Sequence, residues 1–81
     1  MISSEQIKAG RALLGWSAAQ LSEASGVGLT TIRRYEMTPG VPQANISRLS
    51  LLKQSLEQAG IEFTGNPEVN PGVVLHLKSR E

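Results

Sequence analysis

The chain has 81 residues, one His, one Trp and no Cys, and its eight Lys and Arg stand against seven Glu with Asp absent, a net charge of +1. That length holds one small domain and leaves no room for separate cofactor-binding and catalytic domains. A lone His with scattered Glu cannot furnish a zinc site, and the lack of Cys excludes a disulfide framework and suits a reducing, cytoplasmic compartment.

Ser3 opens the first predicted helix, with Gln6 three residues on in a capping-box pattern. The helix runs from about Ser4 to Leu14, sets Ile7, Arg11 and Leu14 on one face, and stops at Gly15. The segment Met1-Ile2-Ser3-Ser4-Glu5 lacks a basic start followed by an apolar run, so no targeting segment is read there, and no stretch reaches membrane-spanning length. Ser17-Ala18-Ala19-Gln20 forms a second capping box, with Trp16 and Leu21 placed to staple across it. This short helix ends at Ser25-Gly26, and Val27 is the apolar residue just past the turn. A third helix, from Gly28 or Leu29 to Glu36 or Met37, turns Ile32 and Tyr35 inward and Leu29, Thr30, Arg33 and Arg34 outward.

Thr38-Pro39-Gly40-Val41-Pro42 is a loop by composition. A fourth helix is expected from Pro42 or Gln43 to Ala59, with Ile46, Leu49, Leu52 and Leu56 as its apolar stripe, Arg48 and Lys53 on its solvent side, and Gly60 as its cap. Asn45-Ile46-Ser47 matches a glycosylation triplet and, without a leader, is read as coincidence. The period then changes. Ile61–Thr64 and Val73–Leu77 alternate apolar and polar residues, with Val73, Leu75 and Leu77 on one face. A Gly-, Pro- and Asn-rich connection joins them, which predicts two antiparallel strands. His76 is read as a surface residue of this hairpin, and Lys78 and Arg80 as a loose tail.

Ser17 to Glu36 has the shape of a helix-turn-helix, two short helices joined by a tight Gly-containing turn. Such a motif needs a small residue at the turn (Gly26), an apolar underside (Leu21, Val27, Ile32), and long polar side chains outside. Residues 4 to 59 resemble the lambda-repressor-like domain of the phage Cro and CI repressors and their bacterial relatives. The resemblance is carried by Ile7, Gly10-Arg11, Leu14-Gly15-Trp16-Ser17, Gln20-Leu21, Gly26-Val27 and Thr31-Ile32-Arg33-Arg34-Tyr35-Glu36, followed by a Leu-patterned helix. It implies a mainly α fold: a four-helix helix-turn-helix domain at 1–60, then a short antiparallel two-stranded β-hairpin at 61–81 that packs on it and is a candidate dimerisation element.

The resemblance also implies roles. Leu29, Thr30 and Arg34 would touch bases. Ala18, Gln20, Gly28, Thr31 and Arg33 would flank them or meet phosphates, and Arg11 and Glu36 would form a structural ion pair. The chain departs from the family at Gly28, where a Ser or Thr cap is usual, and at Ser22, where Ala is preferred. It also departs in the loop Met37 to Asn45, which carries no Lys or Arg.

The implied function is a sequence-specific regulator of double-stranded DNA, a small repressor that binds a palindromic operator as a homodimer through a recognition helix at 28–37. An unpaired strand edge in the hairpin would be a template for the second copy. The alternative is an adaptor or antitoxin-like module on the same fold, which the near-neutral charge favours. No nucleophile–base set and no phosphate-cradling Gly loop is present, so no enzyme is expected. No cofactor, metal, membrane contact or small-molecule ligand is expected either.

Overall fold

The structure, a computed structural model, describes residues 1–43 and 45–77. Four helices, α1 (Ser4–Leu14), α2 (Ala18–Ser25), α3 (Leu29–Met37) and α4 (Ile46–Gln58), precede two strands, β1 (Ile61–Thr64) and β2 (Gly72–Leu75). The strands pair antiparallel, with Ile61 opposite Leu75 and Thr64 opposite Gly72.

The first two helices start where the chain offers a reciprocal cap. Ser3 accepts the Gln6 amide and Gln6 accepts the Ser3 amide, and Ser17 and Gln20 do the same for α2. Both helices end on a glycine in the left-handed region, Gly15 at φ 70° and Gly26 at φ 80°, where any Cβ would be strained.

Helix α4 starts later than its sequence suggests. Pro42 and Gln43 precede it, and Asn45 is its cap. The Asn45 side chain accepts the Ser47 amide at 2.8 Å, and its carbonyl accepts the amides of Arg48 and Leu49 at 3.1 and 3.2 Å. The triplet that reads as a glycosylation signal is therefore a helix start, and an Asn cap outweighs the weaker cue of a proline at the first helical position. Ile46 then falls on the first turn. Its Cβ points back toward the N-terminus, beyond the core, and it is 69% exposed, so the apolar stripe begins only at Leu49.

One core joins all six elements. Ile2, Ile7, Leu21, Ile32, Leu52 and Leu56 are fully buried, with Val27, Tyr35, Leu49 and Ile61 nearly so. Trp16, Phe63, Val73 and Leu75 pack against this cluster from its margin. The hairpin lies on the helices, β1 against α4 and β2 against α1. Its inward face is Ile61 and Phe63 with Val73 and Leu75, as period-two alternation requires. The strand does not continue to Leu77, which is 85% exposed. The last ladder bond runs from the His76 amide to Gly60 O at 2.8 Å, and beyond it no β1 residue stands opposite. Lys78 and Arg80 lie outside the described residues.

Gln6 sews the hairpin to α1. It is 2% exposed. Its amide nitrogen donates to Thr64 O at 3.2 Å and Gly72 O at 3.0 Å, the final pair of the ladder. Its amide oxygen accepts the Ser3 N–H at 2.9 Å. One side chain thus caps a helix and closes a sheet.

Candidate nucleic-acid interface

Helices α2 and α3 meet at the turn Gly26-Val27-Gly28, and two serines hold that turn. The Ser22 hydroxyl donates to Val27 O at 2.6 Å, and the Val27 amide donates to Ser25 Oγ at 3.1 Å. The Ser22 departure from the family pattern therefore has a local purpose. A hydroxyl there satisfies a carbonyl in the turn that an Ala would leave without this partner. Sequence reasoning missed this role because the bond spans five residues through a change of direction.

Ile32 and Tyr35 anchor the underside of α3 in the core. At about 100° per residue, Leu29, Arg33, Met37, Thr30 and Arg34 follow one another over an arc of roughly 140° on the opposite side. Thr30, Arg33 and Arg34 are exposed, and Leu29 and Thr31 are partly buried. Among the described residues neither Arg33 nor Arg34 enters a salt bridge. Met37, 82% exposed, stands on the same arc. Sequence reasoning gives it only as a helix end or loop start, although its spacing of four from Arg33 places it there. Gly28 precedes α3 with extended backbone and gives no side-chain cap, so the amides of the first turn face outward without one.

The α2 side of the interface is more committed. Ala18 packs its methyl against the core margin. Gln20 Oε1 accepts the Ser17 amide at 2.7 Å, and its amide nitrogen has no partner among the described residues. Helix α1 is locked to α3 by Arg11 and Glu36. Arg11 Nε donates to Glu36 Oε2 at 3.0 Å, Nη2 to Oε1 at 2.9 Å, and Nη1 to Trp16 O at 2.9 Å. The pair is partly buried, with 23% and 10% of the side chains exposed. One guanidinium thus ties α1, the turn before α2 and the end of α3 together.

The loop after α3 is held from α1. The Ser4 amide donates to Gly40 O at 2.8 Å, and the Gly40 amide donates to the Glu5 carboxylate at 3.2 Å. The Ser4 hydroxyl reaches Glu36 O at 3.2 Å. The backbone amide of Glu5 at the helix start, the Gly40 amide and the nearby Lys8 hold the Glu5 carboxyl below its ordinary value. A depressed folded value means that this tether is complete above the ordinary carboxylate range and is lost as pH falls through and below it. The expected result is a Gly40 amide whose hydrogen-exchange protection drops in that acidic window and is pH-independent in Glu5→Gln. Protection unchanged by acid would contradict the tether.

Among the described residues no group of three His, Asp or Glu side chains converges on a metal position, and no helix is long and apolar enough to cross a membrane. Residues 7–50 match the family model described as helix-turn-helix, of the Cro and CI type, and the chain belongs to this lambda-repressor-like family of DNA-binding regulators. No curated protein matches the chain beyond chance.

Proposed function

We propose that the protein is a small repressor that reads a palindromic operator as a homodimer, with α3 in the major groove. The observation that carries this reading is the outer face of α3. Two arginines that pair with no carboxylate among the described residues stand there beside Thr30, on a helix whose other side is fixed in the core. Arg34 reads a guanine, and Leu29 or Thr30 meets a thymine methyl. Arg33, Thr31, Gly28, Ala18 and Gln20 make the flanking or phosphate contacts. With no Lys or Arg in residues 37–45, one copy makes few phosphate contacts, and useful affinity comes from two copies on half-sites about 34–36 Å apart.

Selection of bound sites from random duplex DNA tests this directly, with an inverted repeat as the expected product. Arg34→Ala then costs about 1–3 kcal/mol on the selected site and relaxes one base position. A uniform loss across all sequences would make Arg34 a phosphate contact instead. No enrichment at all would favour the adaptor reading, which the net charge of +1 supports.

A further inference from the structure

Helix α3 and the loop that follows it border a cleft of about 350 Å³, within the usual size range of small-molecule sites. Arg34 and Thr38 stand on its helix side, Val41, Pro42 and Gln43 on its loop side, and Tyr35 reaches it from the core. Arg34 is the lone charged residue of the lining, and no carboxylate among the described residues pairs with it. The loop wall is held in place. Gly40 is bonded to α1 on both sides, its carbonyl to the Ser4 amide at 2.8 Å and its amide to Glu5 at 3.2 Å, and Pro42 is buried. Tyr35 is 6% exposed. Its hydroxyl meets no donor or acceptor among the described residues, yet no enclosed side-chain polar atom there lacks a partner. The hydroxyl is therefore open to solvent, and the cleft is where Tyr35 meets it.

We propose that this cleft binds a small organic carboxylate with an apolar body, clasped by Arg34. A guanidinium offers a carboxylate two parallel hydrogen bonds. The free carbonyls at the end of α3 oppose an anion with only about half a charge, against the full charge of Arg34. Val41 and Pro42 give the apolar body a wall, and the Tyr35 hydroxyl, the Thr38 hydroxyl and the Gln43 amide are polar groups for a second contact. A preformed wall spares the ligand much of the ordering cost of binding. Arg34 lies at the edge of the outward arc of α3, so its one guanidinium faces two uses, a guanine edge or the cleft. The same group cannot clasp both, and ligand and operator therefore oppose each other, each weakening the other's binding by the same factor. This regulatory consequence rests on the reading of Arg34 proposed above, whereas the cleft and its ligand class do not.

The test is titration of the full chain, without DNA, with benzoate and with hexanoate, read by proton–nitrogen NMR against sodium chloride of matched ionic strength. Probes this small are expected to bind at about 10 mM, with saturable shifts at Arg34 Nε and at the amides of Tyr35, Thr38 and Gln43. Arg34→Gln is expected to weaken binding by about tenfold or more, and Tyr35→Phe by about threefold. Val41→Trp, which fills the cleft from the loop side, is expected to abolish it, and the dispersed spectrum of each variant shows that it folds. Benzamide, which keeps the ring and lacks the charge, is expected to bind more weakly than benzoate. The absence of saturable shifts with both carboxylates up to about 50 mM overturns the inference. So do shifts that survive both Arg34→Gln and Val41→Trp, or that benzamide reproduces in full. On a selected operator, saturating benzoate is expected to release the wild type, and an operator affinity that stays unchanged overturns the competition. The first titration uses no DNA, so an empty cleft leaves the operator selection standing, and a failed selection leaves the cleft's own binding measured.

Discussion

Arg11→Ala lowers the unfolding free energy by about 3 kcal/mol. A domain of this size has roughly 4–12 kcal/mol to lose, so the loss is large. Its cause is the partly buried Glu36 carboxylate, which loses two charged hydrogen bonds at 2.9 and 3.0 Å while Trp16 O loses a third. Arg11→Lys recovers little, because an ammonium cannot reproduce the planar fork that serves both carboxylate oxygens and the carbonyl. Replacing both partners by apolar residues, as in Arg11→Met with Glu36→Leu, is expected to regain most of the loss, since no charge is then stranded. Urea unfolding of the four proteins checks this. Arg11→Ala within about 0.5 kcal/mol of wild type would mean that solvent replaces the pair at no cost.

Gln6→Glu is expected to be at least as damaging at neutral pH, about 3 kcal/mol or more. The substitution changes almost no volume. It replaces an amide that donates to Thr64 O and Gly72 O with a carboxylate that repels both. Gln6→Ala is milder, at about 1–3 kcal/mol, because it removes hydrogen bonds without introducing a buried charge. The two variants separate by pH. Burial beside two carbonyl oxygens raises the new carboxyl's pKa, so the folded state binds the extra proton more readily. The Gln6→Glu defect therefore shrinks as pH falls toward the carboxylate range and is greatest above it, whereas Gln6→Ala relative to wild type stays flat. Denaturant unfolding at several pH values reads the difference, and parallel pH profiles for the two variants would contradict the carbonyl clamp.

These two clusters mark where sequence reasoning reaches and where it stops. Ser3 with Gln6 and Ser17 with Gln20 are legible because a capping box is a rule over four residues. Arg11 and Glu36 are legible only through the family resemblance, as spacing alone does not pair residues 25 positions apart. The second role of Gln6 is invisible, since its partners lie 58 and 66 residues away. Sequence reasoning misplaces the start of α4 because Pro42 suits a first helical position, while Asn45, the stronger cap, also belongs to a glycosylation triplet. Leu77 continues the alternation of Val73 and Leu75, but a pattern does not say where the opposite strand ends. On α3, period and polarity predict the outward arc, including Arg33 and Arg34. They missed Met37, whose apolar character concealed its exposure.

Gly10 carries a consequence for how the protein matures. It lies in α1, buried where the side chains of Ile61 and Leu56 close over the helix. Its helix is among the first elements to be synthesised, yet its covering strand follows some fifty residues later and is itself clamped only when Gly72 reaches Gln6. Long loops of this kind close slowly, and the contacts that reward closure come last. During translation the inner face of α1 therefore waits uncovered until the second strand is available. Helix α3 is synthesised before that moment, but its brace through Arg11 hangs on a helix not yet docked. The native packing of α1, and with it the Arg11–Glu36 brace, would thus follow the synthesis of residue 72, well after α3 has been made.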